Sequence, residues 1–256
     1  MIREFLQDEY AQVNEFIKQD SARNYFVRLG FESGRSVYKS ILGDWDDYGQ
    51  LKAVLLRRHS GNMQFYANGL FDIDGFKEYI SQIEFDTLIS PASYADKFLH
   101  KGLFSVVENG AIIAKLESGE FKQYEDYPEV EVLKLEDLDE VVQLYEKIFK
   151  SFSSKDVMLK RLQSGRGRGV CIRHAGKVVS VVQSEFEELD SALIVGVGTS
   201  VEFQGKGLAS KCLKVLCKQL TQENKDLYLQ YDNMDAGRIY EKLGFKLIDQ
   251  VRHYKR

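Results

Sequence analysis

The stretch Gln204-Gly205-Lys206-Gly207-Leu208-Ala209 constrains this chain more than any other. It follows an apolar run, Ala192 to Gly198, and opens an amphipathic pattern that runs to about Gln222. A strand, a glycine turn and a helix start, in that order, make a site for phosphate. The first helical N–H groups lack intrahelical partners, and the helix dipole adds roughly half a positive charge there. Glycines let an anion approach the backbone closely. The spacing fits neither the P-loop G-x-x-x-x-G-K-S/T nor the dinucleotide pattern G-x-G-x-x-G. In the helix, Leu208, Cys212, Leu216 and Leu220 recur every four residues beside Leu213 and Val215, so one face is buried. Lys206, Lys211, Lys214 and Lys218 lie mostly off that face. They read as solvated cations, those nearest the helix start being available to a nucleotide phosphate.

Downstream, Leu227 to Tyr231 reads as a strand, and Asn233 is a good N-cap for a helix that Gly244 ends. The pattern there is Asn233-x-x-Ala236-x-x-x-Tyr240-x-Lys242-x-Gly244-Phe245. With Gln204-x-x-Gly207-x-Ala209 upstream, the pair resembles the two signatures of the GNAT superfamily of N-acetyltransferases, Q/R-x-x-G-x-G/A and N-x-x-A-x-x-x-Y-x-K-x-G-F. The surrounding elements follow the superfamily's order. They are a strand at 129–135, helices at 137–150 and 155–163, a hairpin of 169–173 with 177–184, and a strand at 192–198. The core helix, the strand at 227–231, a further helix, and a final hairpin of 245–248 with 251–254 complete it. The resemblance covers roughly Tyr127 to Arg256.

It implies an α/β (α+β) fold, a mixed and mostly antiparallel sheet flanked by helices, with acetyl-CoA as acyl donor and no metal. By resemblance, Gln204, Gly205, Lys206, Gly207, Leu208, Ala209 and Ser210 hold the pyrophosphate. Val197, Gly198 and Thr199, on a strand that splays from its neighbour in this superfamily, receive the acetyl-bearing arm. Ala236 and Asn233 lie near the pantetheine, Asn233 reading equally as a simple N-cap. Tyr240 is the implied general acid, against the plainer reading of a packed aromatic. Gly196 and Gly198 inside the strand mark either a bulge with close backbone approach or packing under a helix.

At 256 residues the chain is about twice one such domain and long enough for two cores. Its only prolines are Pro91 and Pro128. Pro128 ends the polar stretch Gln123 to Tyr127 and gives the expected boundary, with domains at 1–126 and 127–256. No apolar run nears 18 residues, so no membrane span is expected. The start, Met1 to Phe5, is unlike a secretion signal. Cys171, Cys212 and Cys217 give no metal spacing and read as structural thiols of a cytoplasmic protein. A net charge of −4 argues against nonspecific nucleic-acid binding. Residues 1–127 carry 14 Lys and Arg against 20 Asp and Glu, a net of −6; residues 128–256 carry 21 against 19, a net of +2. The half with the phosphate loop is the more basic.

The first half reads as helices at 2–18 and 22–29, strands at 52–57 and 63–67, a helix at 75–83, a strand at 85–90, a helix at 93–100, and a hairpin at 104–115 about Glu108-Asn109-Gly110. That repeats the order of the second half. Its strand-to-helix junction, Gly69-Leu70-Phe71-Asp72-Ile73-Asp74-Gly75, lacks the phosphate signature and sets two carboxylates against any phosphate. The expectation is a degenerate GNAT-like domain that does not bind CoA, as in the tandem bacterial members of the superfamily.

Acetyl transfer to an amine requires a neutral amine, support for an oxyanion, and a proton for the departing thiolate. An alkylammonium titrates at about 10.4, so a base or a water relay must act. The strand at 192–198 has no carboxylate; the candidates near its ends are Glu185, Glu187, Glu188 and Asp232. The plainer reading of 186–190 is a solvated turn. No Ser-His-Asp or Cys-His arrangement is suggested, which favours direct transfer. The expected activity is acetyl transfer to a small or amino-acid-like amine by a monomer or homodimer. The alternatives are a noncatalytic acyl-CoA-binding sensor and an aminoacyl-tRNA-dependent transferase; the latter lacks the CoA loop and needs an RNA-binding surface.

Overall fold

A computed structural model describes residues 1–6, 9–32, 34–122 and 125–256, the side chain of residue 32 excepted. Gln123 and Tyr124 of the polar boundary stretch lie outside the described residues. The chain divides into two compact units, Met1–Ile113 with Ile248–Arg256, and Ala114–Leu247.

The first unit begins with β1 (Ile2–Glu4), α1 (Tyr10–Lys18) and α2 (Tyr25–Glu32). Next come β2 (Tyr38–Trp45), β3 (Leu51–Arg58), β4 (Met63–Ala67), α3 (Ile73–Ser81), β5 (Leu88–Pro91), the single turn α4 (Ala92–Ala95) and β6 (Val106–Leu116). Its strands run in the order β1-β2-β3-β4-β5. All neighbours are antiparallel except β4 and β5. Strand β3 explains why the sheet is covered on both faces. Ala53 and Leu55 join one buried cluster while Val54 and Leu56 join another. Successive side chains point to opposite faces, so an unbroken apolar run fits only a strand buried on both sides.

Three readings of this half are corrected. The helix at 2–18 is β1 followed by α1. The strand β2 is additional; Gly43 and Asp44 obscure it in sequence. Each is needed there, since a Cβ on Gly43 would lie 2.5 Å from the Phe5 ring. Asp44 accepts from the Met1 ammonium at 3.1 Å and the Asp72 N–H at 2.9 Å. The hairpin about Glu108-Asn109-Gly110 is one continuous strand, β6. Gly110 serves close approach instead of a turn, because its Cβ would lie 3.0 Å from the His253 ring.

The second unit contains β7 (Val130–Val132), α5 (Leu138–Ile148), α6 (Lys155–Gln163), β8 (Gly169–His174), β9 (Lys177–Glu185) and β10 (Ser191–Thr199). Then follow α7 (Leu208–Gln222), β11 (Asp226–Tyr231) and α8 (Met234–Leu243). Its strands run β11-β10-β9-β8-β7, with only β10 and β11 parallel. Leu138, Val141, Leu144 and Tyr145 of α5 pack with Met158, Cys171 and Val181. Helix α7 buries Cys212, Leu213, Leu216, Cys217 and Leu220. The final hairpin is also corrected, being one strand, β12 (Lys246–Lys255), whose residues Val251 to Tyr254 belong to the first unit and pair there antiparallel with β5. Asp249-Gln250 looks like a turn, but the Asp249 carboxylate is held by Arg23 Nε at 2.7 Å and by the Ser93 hydroxyl. Both units therefore repeat one plan: a helix pair, three antiparallel strands, a helix, then a strand parallel to the last of the three.

Candidate functional site

Strand β10 leaves its parallel neighbour early. Only Ser191, Ala192 and Leu193 pair with β11, opposite Asp226, Leu227 and Tyr228. The six residues Ile194–Thr199 continue without β11 beside them, which opens a wedge between the two strands. At its mouth β10 is bulged. Val195 pairs with Gln183 and Gly198 with Val181 on β9, so three steps on one strand match two on the other. The extra residue lets Gly196 adopt φ +60°, where a side chain is strained. A Cβ there would lie 2.1 Å from the Tyr145 hydroxyl, which donates to the Gly196 carbonyl at 2.6 Å. Gly198 packs under α5 instead, its would-be Cβ 2.7 Å from Ile148. Each of the two readings of a strand glycine thus applies to one of them.

Beyond Thr199 the chain turns through Ser200 and a short 3-10 turn, Val201–Phe203, into the loop. Gln204 Nε2 donates to the Thr199 carbonyl at 3.1 Å, which ties the loop to the end of β10. Gly205 and Gly207 have φ +75° and +74°, and a Cβ on either would meet nothing within 4 Å. These glycines are set by backbone conformation, and open space lies over them. The first backbone bond of α7 runs from the Lys211 N–H to the Gly207 carbonyl at 3.1 Å. The Leu208, Ala209 and Ser210 N–H groups precede it and have no helical partner. The first turn holds no acidic residue and the N-cap no side-chain bond. Three donors, the dipole and an open approach suit a pyrophosphate.

The lysines of this helix divide. Lys211, Lys214 and Lys218 pair with Glu129, Glu125 and Asp126 at 2.7–2.8 Å. Lys206 lies over the Phe203 ring at 4.6 Å, exposed at the loop. The corresponding junction of the first unit is closed by its own carboxylate. Asp72 caps α3, accepting from the Gly75 N–H at 2.9 Å, and Asp74 pairs with Lys101 at 2.7 Å. Phe71 packs on Phe65 and Phe98.

Tyr240 is 6 % exposed, its ring 5.2 Å from Tyr231 and 6.1 Å from Phe245. Burial pushes its phenol well above the ordinary value, with Cys217 and Tyr231 adding to the rise. The phenol therefore stays protonated, as a proton donor must. Among the described residues its hydroxyl makes no hydrogen bond. Asn233 Oδ1 caps α8, accepting from the Asp235 and Ala236 N–H groups at 2.9 and 3.4 Å.

Of the four acidic candidates, Glu185 and Glu187 are held in ion pairs, Glu188 is half-buried in the turn, and Asp232 is exposed just beyond β11. Glu185 pairs with Arg161 at 2.9 Å, both side chains 5 % exposed. Glu187 is gripped by Arg168 at 2.6 Å, Ser184 Oγ at 2.5 Å and Lys225 at 3.3 Å. The turn reading of 186–190 misses the buried Glu187; the only sequence signal was its separation by two residues from Glu185. Tyr145 was also missed, because its helical spacing marks it only as core. Burial pushes the thiols of Cys171, Cys212 and Cys217 up to about 11, 12 and 12. They stay thiols and offer no nucleophile. Among the described residues, no group of three or more metal-binding side chains converges, and no helix is long and apolar enough to cross a membrane.

The model of the GNAT acetyltransferase family matches residues 130–254. No curated protein matches the chain by sequence. Among solved structures, a GNAT-family acetyltransferase from Colwellia psychrerythraea is similar at TM-score 0.70 and 12 % identity, covering 100 % of this chain and 99 % of that one. A GCN5-related N-acetyltransferase from Sphaerobacter thermophilus gives TM-score 0.64 at 15 % identity, covering 100 % and 95 %. A tandem GNAT protein from the clavulanic acid biosynthesis pathway, solved without acetyl-CoA, gives 0.60 at 9 % identity, covering 100 % and 98 %. At such identities the likeness is one of fold, and it extends over both units. The glycine loop, the wedge and the family match coincide in one half: the chain carries a GNAT acetyltransferase-family domain over residues 130–254.

Proposed function

We propose that this protein transfers acetyl from acetyl-CoA directly to the amine of a small-molecule or amino-acid-like acceptor, with the second unit carrying the chemistry. The observation that bears most weight is the loop Gln204–Ser210. Its glycines are left-handed and open, and its free N–H groups stand one short turn from the bulged end of β10. The pyrophosphate is assigned to those N–H groups and Lys206, and the pantetheine to the wedge beside Val197, Gly198 and Thr199. Asn233 and Ala236, at the start of α8, are assigned to the pantetheine as well, with Asn233 keeping its capping role.

Bound acetyl-CoA supplies an activated thioester carbonyl. The acceptor nitrogen forms the C–N bond at that carbon, loses a proton to solvent, and the C–S bond breaks, giving an amide and CoA thiol. The Val197 N–H is assigned to the carbonyl oxygen, where negative charge develops. Tyr240 donates toward the departing sulfur. Its phenol is a weaker acid than a thiol, whose ordinary pKa is about 8.5, so it passes its proton only as charge builds on the sulfur, and solvent then returns that proton to the phenol. Glu185 and Glu187, committed to arginines, are left out of proton removal. Water in the open wedge takes that role.

One observation favours a second reading, an acyl-CoA-binding protein without turnover: Glu185 and Glu187, the candidate bases at the end of β9, are both held in ion pairs. The deciding experiment is thiol release from acetyl-CoA across a panel of small amines, amino acids and polyamines. Amine-dependent release supports transfer. Tight CoA binding with no release on any amine favours the sensor.

A further inference from the structure

The Tyr145 hydroxyl is an unusual feature for a core helix. It accepts from Gln183 Nε2 at 3.0 Å and donates to the Gly196 carbonyl at 2.6 Å. The ring is locked by Phe149 and Phe152, at 5.0 and 5.5 Å between centroids. Gln183 is 1 % exposed and also contacts Met158 Sδ at 3.4 Å. The carbonyl at the end of this relay is not in a regular ladder; it belongs to the bulge residue with φ +60°.

A peptide unit is planar and, with no cis bonds among the described residues, its C=O and N–H point in opposite directions. The Gly196 carbonyl and the Val197 N–H are the two ends of one such unit. Whatever fixes the carbonyl toward α5 fixes the N–H away from it. A bulge is otherwise a soft place in a strand, since its extra residue lacks a ladder partner. We propose that Tyr145, backed by Gln183, is a positioning residue for acetyl transfer: by holding the Gly196 carbonyl it aims the Val197 N–H at the acetyl oxygen. The inference rests on the assignment of Val197 as the oxyanion donor. It also accounts for Gly196, since any Cβ there would displace the hydroxyl.

Tyr145→Phe keeps the ring and deletes one O–H. Its kcat is expected to fall about tenfold, less than the ~10²–10³ lost when an oxyanion donor is removed outright. The KM for acetyl-CoA and the CoA-induced rise in Tm stay at wild-type values. Gly196→Ala reaches the same bond from the strand side and should lower kcat likewise. Val141→Ala thins the same core cluster but leaves the Tyr145 ring contacts and hydroxyl bonds in place, so Tm falls while kcat stays within about twofold of wild type. Wild-type kcat in folded Tyr145→Phe, or an equal kcat loss in Val141→Ala, overturns the proposal.

A second readout needs no turnover. In ¹⁵N-labelled protein the Val197 amide resonance should move with acetyl-CoA and not with CoA, and that difference should shrink by at least half in Tyr145→Phe. An equal difference in both proteins overturns the positioning role alone. A wild-type protein that binds CoA but shows no acetyl-specific shift at Val197 removes the donor assignment and this inference with it.

Discussion

A phenol on a buried helix face either packs or donates, and Tyr240 separates these roles by pH. Its burial raises its pKa, so it stays protonated over the whole working range. What changes with pH is the need for it, because a thiolate above about pH 8.5 leaves without a proton. Tyr240→Phe should therefore lower kcat by about 10²-fold or somewhat less near pH 7, with a smaller loss at pH 9.5 and little change in acetyl-CoA affinity. A loss that is equal at both pH values, with a lower Tm, would mean packing alone. Tyr240 was legible from its place in a spaced motif. Tyr145 was not, because its hydroxyl's partner lies 51 residues away on a bulge that no local pattern encodes. The charged partners of Glu185 and Glu187 were hidden for the same reason: sequence shows a carboxylate but not the arginine that occupies it.

At the scale of elements, two helix starts with the same place in their units have opposite chemistry. The start of α7 has left-handed glycines and no acid; that of α3 is capped by Asp72. Asp72→Ala should cost about 1 kcal/mol of stability through the lost cap and leave the acetyl-CoA-induced rise in Tm unchanged. A smaller rise would bring the first unit into the cofactor site. The network where Arg168 meets Glu187 and Glu223 yields a pH test. Hydrogen bonds from Arg168 hold the Glu223 carboxyl down to about 2. Because the folded value is depressed, the pair contributes above the ordinary carboxylate range and is lost as pH falls from about 4.5 to 2. Glu223 is largely solvent-facing, so about 0.5 kcal/mol is expected after screening. Glu223→Gln should melt slightly below wild type at pH 7, and the two curves should converge toward pH 2; a constant gap would exclude the ion pair as the cause. Elements with strong periodicity, such as α5 and α7, were readable to within about two residues at each end. The misread ones, β6 and β12, carry Asn-Gly and Asp-Gln pairs whose turn preference is overridden by tertiary partners such as Arg23 and Lys255.

For the whole molecule, the doubling of one plan was visible in the repeated order of elements, and the full-length structural likenesses bear it out. The pairing of β12 with β5 was not visible, since a strand from the far end of the sequence carries no local mark of its partner. The central claim is that a single loop, at the start of α7, binds the acyl donor. The most direct test is melting with and without acetyl-CoA for wild type and Gly207→Glu. At a hundredfold excess over Kd, binding adds about 2.7 kcal/mol to wild type, read as a clear rise in Tm. Gly207→Glu, which puts a side chain and a negative charge over the open glycine, should show none. An equal rise in both proteins would contradict the account.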